Sequence, residues 1–305
     1  MSKNLMNRLN PKTKEVKQMK KTRFFLLSVM IISMFVIYGT AFALPMIGFD
    51  PTGTGTFTLT NTNTSSYADL WTSLTDTGLS VGFDPTAVVP TPDAPYDTTF
   101  ILQGRVDAMS ANGTKLLVSV FNNVTQQVTF ETKLTETVIT ETAFDGTHQT
   151  ASFSSGADPT ALLQVYFNNA VTAVPGNGAG TVSGYDDGTL ILTAHLASAT
   201  ASFDSPVPGQ LGTGSFDIRY IIDSWDPLYI DATTQHIFDI EGTGTLNLPP
   251  FFTPAVMWDG TNTSTGIPLK YDGSSSFSAV PEPATFVLLG AGLAGLGVLR
   301  FRRKA

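Results

Sequence analysis

Apolar and polar residues alternate through most of the middle of this chain. The pattern is clear in residues 55–60, 100–106, 115–121, 127–134, 163–167, 189–195, 215–222, 237–240 and 244–248. A period of two sends successive side chains to opposite faces of a strand, one buried and one wet. β-branched and aromatic residues fill these runs and suit a pleated surface. Turn residues punctuate them at Asn112-Gly113, Asp145-Gly146, Pro175 to Gly178 and Asp187-Gly188. Many short strands with little helical periodicity predict an all-β ectodomain over residues 44–248, a single β-sandwich or jelly-roll-like domain. Residues 69–74 are read as a short helix. Residues 249–279, with Pro249-Pro250, Pro254, Pro268 and Gly273 to Ser276, read as a loop-rich closing segment and linker.

Two uniformly apolar runs break the alternation, one near each terminus. The first, residues 24–38, follows Lys20, Lys21 and Arg23 and leads to Ala41-Phe42-Ala43. A charged region, an apolar region and small residues before a cleavage point make a secretory signal peptide, here residues 1–43 with a signal helix. Ala41 and Ala43 supply the small side chains, so signal peptidase and the export machinery are expected partners and Leu44 the mature start. Met19 makes a better start for such a signal than Met1, and an uncleaved anchor is the rival reading. The second run, residues 284–299, has 16 residues, no charge, and Arg300, Arg302, Arg303 and Lys304 behind it. A membrane helix needs roughly 20 residues, and snorkelling arginines extend a shorter one. Basic residues stay on the cytoplasmic side, so everything before this transmembrane helix is expected to face outward. Pro281 and Pro283 mark its outer boundary because neither can join a helix interior. Gly290 with Ala294, and Ala291 with Gly295, lie four apart on one face and permit close helix contact. A buried core helix is the plainer alternative.

The tail, residues 280–305, thus has three parts in order: Val280-Pro281-Glu282-Pro283, the apolar run and the basic cluster. It resembles the PEP-CTERM sorting signal of bacterial exported proteins. The resemblance implies that an exosortase reads Pro281, Glu282 and Pro283, preceded by Val280. It also implies a transient anchor in the inner membrane with the ectodomain in the periplasm. Transfer to the cell surface or extracellular matrix follows processing. Such proteins often occur in bacteria that make exopolysaccharide, so a structural or adhesive role in a biofilm is expected, with exopolysaccharide as the extracellular partner. The alternatives are a glycan- or ice-binding module and a polysaccharide-acting enzyme.

Charge changes the picture of the middle. The formal net charge of the chain is −8, but residues 44–279 hold five Lys/Arg against 23 Asp/Glu, a formal −18. That surface repels nucleic acid. There is no cysteine, which excludes a disulfide framework, a thiol nucleophile and Cys-ligated metal.

Candidate chemistry is sparse. The three histidines, His148, His195 and His236, have no ligand partner at metal spacing. Asp186-Asp187, Asp217, Asp223, Asp226 and Asp231 match no calcium loop. Asp223 and Asp226 are the paired carboxylates an enzyme reading would use. Trp225 and Tyr229 beside them suit either a carbohydrate surface or plain packing at a sheet edge. Gly48 to Thr52 recurs as Gly82 to Thr86, which reads as two Asp-Pro turns, each pinned by a buried Phe. No catalytic residue, cofactor or metal is expected.

Overall fold

The computed structural model of the protein describes residues 47–58, 65–83, 94–117, 120–142, 149–173, 184–205, 212–232, 236–246 and 256–279. The expected signal peptide with Ala41 and Ala43, the motif 280–283, the helix 284–299 and the basic residues 300–304 lie outside them. Among the described residues no helix is long and apolar enough to cross a membrane. Almost everything else is strand, as expected: β1 (Ile47–Phe49), β2 (Tyr67–Ala68), β3 (Leu70–Val81), β4 (Tyr96–Ala111), β5 (Thr114–Lys115), β6 (Gln127–Thr142) and β7 (Gln149–Ser155). Then come β8 (Asp158–Asn168), β9 (Thr189–Ser205), β10 (Thr213–Trp225), β11 (Ile230–Asp231), β12 (His236–Leu246) and β13 (Gly266–Ala279), with one 3₁₀ turn at Thr263–Thr265.

The sheet closes on itself. Long strands pair antiparallel with their neighbours in sequence, β3 with β4, β4 with β6, β9 with β10, β10 with β12 and β12 with β13. β7 and β8 run end to end as one stave between β6 and β9. The last strand, β13, then pairs with the first long one, β3, from Gly266↔Val81 to Ser276↔Leu70. The described residues therefore form an eight-stave up-and-down barrel. This replaces the expected sandwich or jelly roll. Alternation along single strands is the same in both architectures, so only the β13–β3 pairing distinguishes them.

Three local readings are corrected with it. The expected linker holds β13, the stave that closes the barrel. Its small residues fit because Gly273 and Ser275 are buried positions on a wall already crowded by aromatic rings. Residues 69–74 belong to β3 apart from Asp69, because Trp71 must point inward to meet Phe238 and Phe277, with ring centroids 6.0 and 5.1 Å away. Residues 55–58 and 116–117 are not strand. The Asn112-Gly113 turn holds as read, with φ of 50° and 75° at its two central residues, the left-handed pair a tight hairpin needs.

The barrel interior divides in two. At one end the small sheet β11-β1-β2 forms a cap. Phe49 on β1 is fully buried there, edge-on to Trp71, Phe121 and Phe167. At the other end Phe83 packs on Phe153 and Phe203 at 5.0 and 5.6 Å. The repeated pentapeptide thus puts one phenylalanine into each end of the barrel. Its first Asp-Pro turn is present: Asp50 accepts from Thr52 N at 2.8 Å and Thr52 Oγ1 at 2.6 Å. Asp84 to Thr86 lie outside the described residues. The same Asp-x-Thr device, a carboxylate folding back on backbone two residues on, breaks the β7–β8 stave at Asp158 and closes the turn at Asp259.

Outside, Thr193, His195, Thr200 and Asp204 alternate with the inward Leu192, Ala194, Ala199 and Phe203, so this wall is polar rather than a lipid-facing band. Residues 256–262 strap across β3, β4 and β6. Met257 buries against Leu79 and Ile101, Trp258 N donates to Gln103 Oε1 at 3.1 Å, and Asp259 pairs with Lys133 at 2.9 Å.

Candidate functional site

The strongest candidate site among the described residues lies inside the barrel, at the end away from the cap. An eight-stave barrel has an interior just wide enough for side chains to fill or for one small ligand. Most of this one is filled. The inward positions of β6 read Val128, Phe130, Thr132, Leu134, Glu136 and Val138, all buried. Thr132 and Glu136 are the departures from an apolar series. Tyr220 on β10 and Thr132 share a hydrogen bond of 2.8 Å, and Thr132 Oγ1 donates onward to Leu162 O at 2.9 Å. Burial pushes the Tyr220 phenol well above its usual range.

Above that bridge is a cavity of about 70 Å³, walled by Phe83, Phe100, Phe153, Phe203, Phe216 and Tyr271. A side chain at Gly78 would meet Phe100, and one at Gly214 would meet the Ser202 carbonyl. Of its polar lining, Ser202 and Ser215 are exposed and bond each other at 2.9 Å, the Tyr271 hydroxyl donates to Gln103 O at 3.3 Å, and Glu136 and Ser80 are buried. Glu136 is 3 % exposed, and burial alone pushes its carboxyl up to about 7. No side-chain hydrogen bond opposes that shift. Ser80 is equally buried, and its Oγ has no partner among the described residues.

A second buried acid, Glu131, sits on the outer wall of the same strand. Burial and the neighbouring Asp186 charge push it to about 7, while a hydrogen bond from Tyr166 opposes them. Its surroundings are structural. Gln127 Nε2 donates to Gly184 O at 2.8 Å, and Gln127 Oε1 accepts from Thr172 N and Ala173 N at 2.9 and 2.8 Å. These bonds clamp residues 169–173 and 184–186 onto the barrel.

The residues singled out in the sequence do not converge. His195 Nδ1 meets Asp223 Oδ1 at 2.6 Å across β9 and β10, on the outer wall. Asp226 instead accepts from Leu228 N at 2.9 Å within its own turn, so the two candidate carboxylates have separate partners. Asp217 meets Arg219 at 3.2 Å, and Asp231 accepts from the Tyr67 hydroxyl. Among the described residues no group of His, Asp and Glu is arranged to hold a metal. His148 lies outside the described residues, as does the side chain of His236. Trp225 and Tyr229 pack against the core, Tyr229 at 5.4 Å from Phe167, which is the packing reading of that pair.

Glu136 was missed in the sequence, although a signal exists. It continues the inward two-residue series of β6 beyond Leu134, and a carboxylate in that series is out of place. The His195–Asp223 pair has no such signal, because it depends on the register of two strands 28 residues apart.

Comparison with known proteins bears on the tail. A family model described as the PEP-CTERM protein-sorting motif matches residues 279–304. No curated protein and no solved structure matches the chain. The match covers the proline pair, Glu282, the apolar run and the basic cluster that the sequence singled out. The chain thus carries a PEP-CTERM protein-sorting motif at residues 279–304, which marks it as an exported protein targeted to an exosortase.

Proposed function

We propose that this protein is a non-enzymatic surface or extracellular-matrix component, structural or adhesive in an exopolysaccharide context. The sorting motif carries the proposal. It implies export, temporary association with the membrane and processing by an exosortase. The barrel is a suitable cargo, since a closed sheet has no free edge along its staves to aggregate while the chain waits at the membrane. Its acidic, Thr-rich wall suits a hydrated matrix.

The position of the motif orients the cargo. β13 ends at Ala279, and the motif begins there. The four residues 280–283 span at most about 14 Å when extended. Phe277, near that end of β13, packs on Trp71 at the capped end of the barrel. Before processing the capped end therefore lies toward the membrane and the cavity end away from it.

The test uses a host with its own exosortase and exopolysaccharide. Protease shaving and co-sedimentation with the polysaccharide are expected to place the processed chain in the matrix, and its deletion to weaken cell aggregation. New reducing ends released from purified polysaccharide by the chain would support the enzyme instead. Unchanged aggregation with no polysaccharide association overturns the adhesive role.

A further inference from the structure

We propose that the barrel cavity lined by Glu136 and Ser80 is a binding site for a small primary alkylamine, bound as its ammonium ion. The inference stands apart from any adhesive role, because it rests on the interior and not on the outer wall.

Three observations carry it. The first is the shape. About 70 Å³ remains inside a barrel whose other end is filled by rings. That is about half the ~150 Å³ of an engineered apolar cavity that binds benzene, so it suits a short alkyl chain better than a ring system.

The second is the unmet polarity. Buried polar groups are nearly always satisfied. Here Ser80 on β3 is 3 % exposed and its Oγ has no partner among the described residues, and Glu136 on β6, across the intervening β4, is equally buried with no side-chain hydrogen bond offsetting that burial. A leucine at 136 would fill the space without that penalty. Both groups line the cavity, where an ammonium has three donors to offer them.

The third is the sign of the charge. A carboxyl that shares its cavity with the rings of Phe83, Phe153 and Phe203 favours a cation, by ion pairing and by attraction to the aromatic lining. Carboxylate or phosphate ligands would meet repulsion there and from the surrounding acidic wall. A neutral alcohol would satisfy one hydrogen bond and no charge.

The probe is n-butylammonium chloride, titrated into the full chain in detergent micelles by isothermal calorimetry, with n-butanol and butyrate as matched controls. Saturable one-site binding is expected for the amine, at least tenfold weaker binding for the alcohol, and none for butyrate. Amine affinity is expected to rise with pH through the titration of Glu136 near 7. The other titratable side chains packed around it among the described residues are Tyr96, Tyr220 and Tyr271. Glu136→Gln keeps the shape and is expected to lower amine affinity at least tenfold while leaving butanol unchanged. Glu136→Leu is expected to abolish amine binding in a protein that is folded by near-ultraviolet circular dichroism. Equal affinity for amine and alcohol, retention of amine binding in Glu136→Gln, or no saturable binding of any probe overturns the proposal.

Discussion

The hydroxyls of Thr132 and Tyr220 meet at 2.8 Å across the inside of the barrel, between staves that are not neighbours. Thr132 Oγ1 already donates to Leu162 O, so it receives the Tyr220 proton as an acceptor. Tyr220→Phe therefore leaves no buried donor unpaired and is expected to cost about 1 kcal/mol by urea unfolding. Tyr220→Ala also removes a fully buried ring, and a loss of about 3–5 kcal/mol is expected.

Asp50 anchors the cap through five donors: Thr52 N and Oγ1, Thr54 N and Oγ1, and Thr56 N. Burial alone would raise its pKa, but these bonds outweigh burial and hold it at about 2 against 3.8. A depressed carboxylate contributes stability above its unfolded pKa and loses it as pH falls through the folded one. Asp50 is thus expected to contribute about 2 kcal/mol at neutral pH, vanishing between about pH 4 and 2. Asp50→Asn should remove that acid-sensitive component in melts across this range. A slope unchanged by the substitution would place the acid sensitivity elsewhere.

Glu136 has the opposite sign. Its folded pKa, about 7, is raised above the ordinary 4.5. The protonated form is therefore favoured in the fold, and stability is lost as pH rises from about 4.5 through 7. Across that interval Glu136 is expected to cost up to about 3 kcal/mol. Glu131 adds to the same trend. Glu136→Gln is expected to raise stability at pH 8–9 and to change it little at pH 4. Equal effects at both pH values would show that the group is ionised throughout.

How far the fold could be read in advance depended on how local its cause was. β4, β6, β9 and β10 were legible because each holds one long alternating run, although the inward phase of β9 shifts between Leu196 and Ala199. Barrel closure was not, since it depends on Gly266 to Ser276 finding β3 nearly 200 residues away. The low apolar content of Gly273 to Ser276 disguised a stave as a linker: its buried positions are small because Trp71 and its ring partners occupy the space. The tail motif was legible because proline, charge and an apolar run act within 26 residues. Glu136 was visible only to a reading that carried the β6 alternation two residues further.

Closure by β13 predicts a sharp dependence on chain length. A fragment of residues 44–279 retains every stave and is expected to resist protease and show a β-type circular dichroism spectrum. A fragment of residues 44–270 loses Phe277 and its contacts with Trp71 and Phe238, together with the ladder from Tyr271↔Asp76 to Ser276↔Leu70. It is expected to be degraded rapidly. Equal protection of the two fragments would mean that the barrel does not need its last stave.

The same short spacing sets the last expectation. The motif starts where β13 ends, so the exosortase must act close to a folded barrel. Pro281 and Pro283 lack backbone N–H groups, and they disfavour both an extension of the β13–β3 ladder and entry into a helix. Glu282 places one negative charge between them, outside the apolar run. Glu282→Lys, or Pro281→Ala together with Pro283→Ala, should leave the barrel folded, because β13 and its ladder with β12 end at Ala279. Both variants are expected to accumulate unprocessed in the inner-membrane fraction, while removal of residues 284–305 releases unprocessed chain to the periplasm. Immunoblots of fractionated cells measure all three. Delivery of the Pro-Glu-Pro variants at the parental level would reduce the tail to a simple anchor, because an anchor needs the apolar run and the arginines but not the sequence before them.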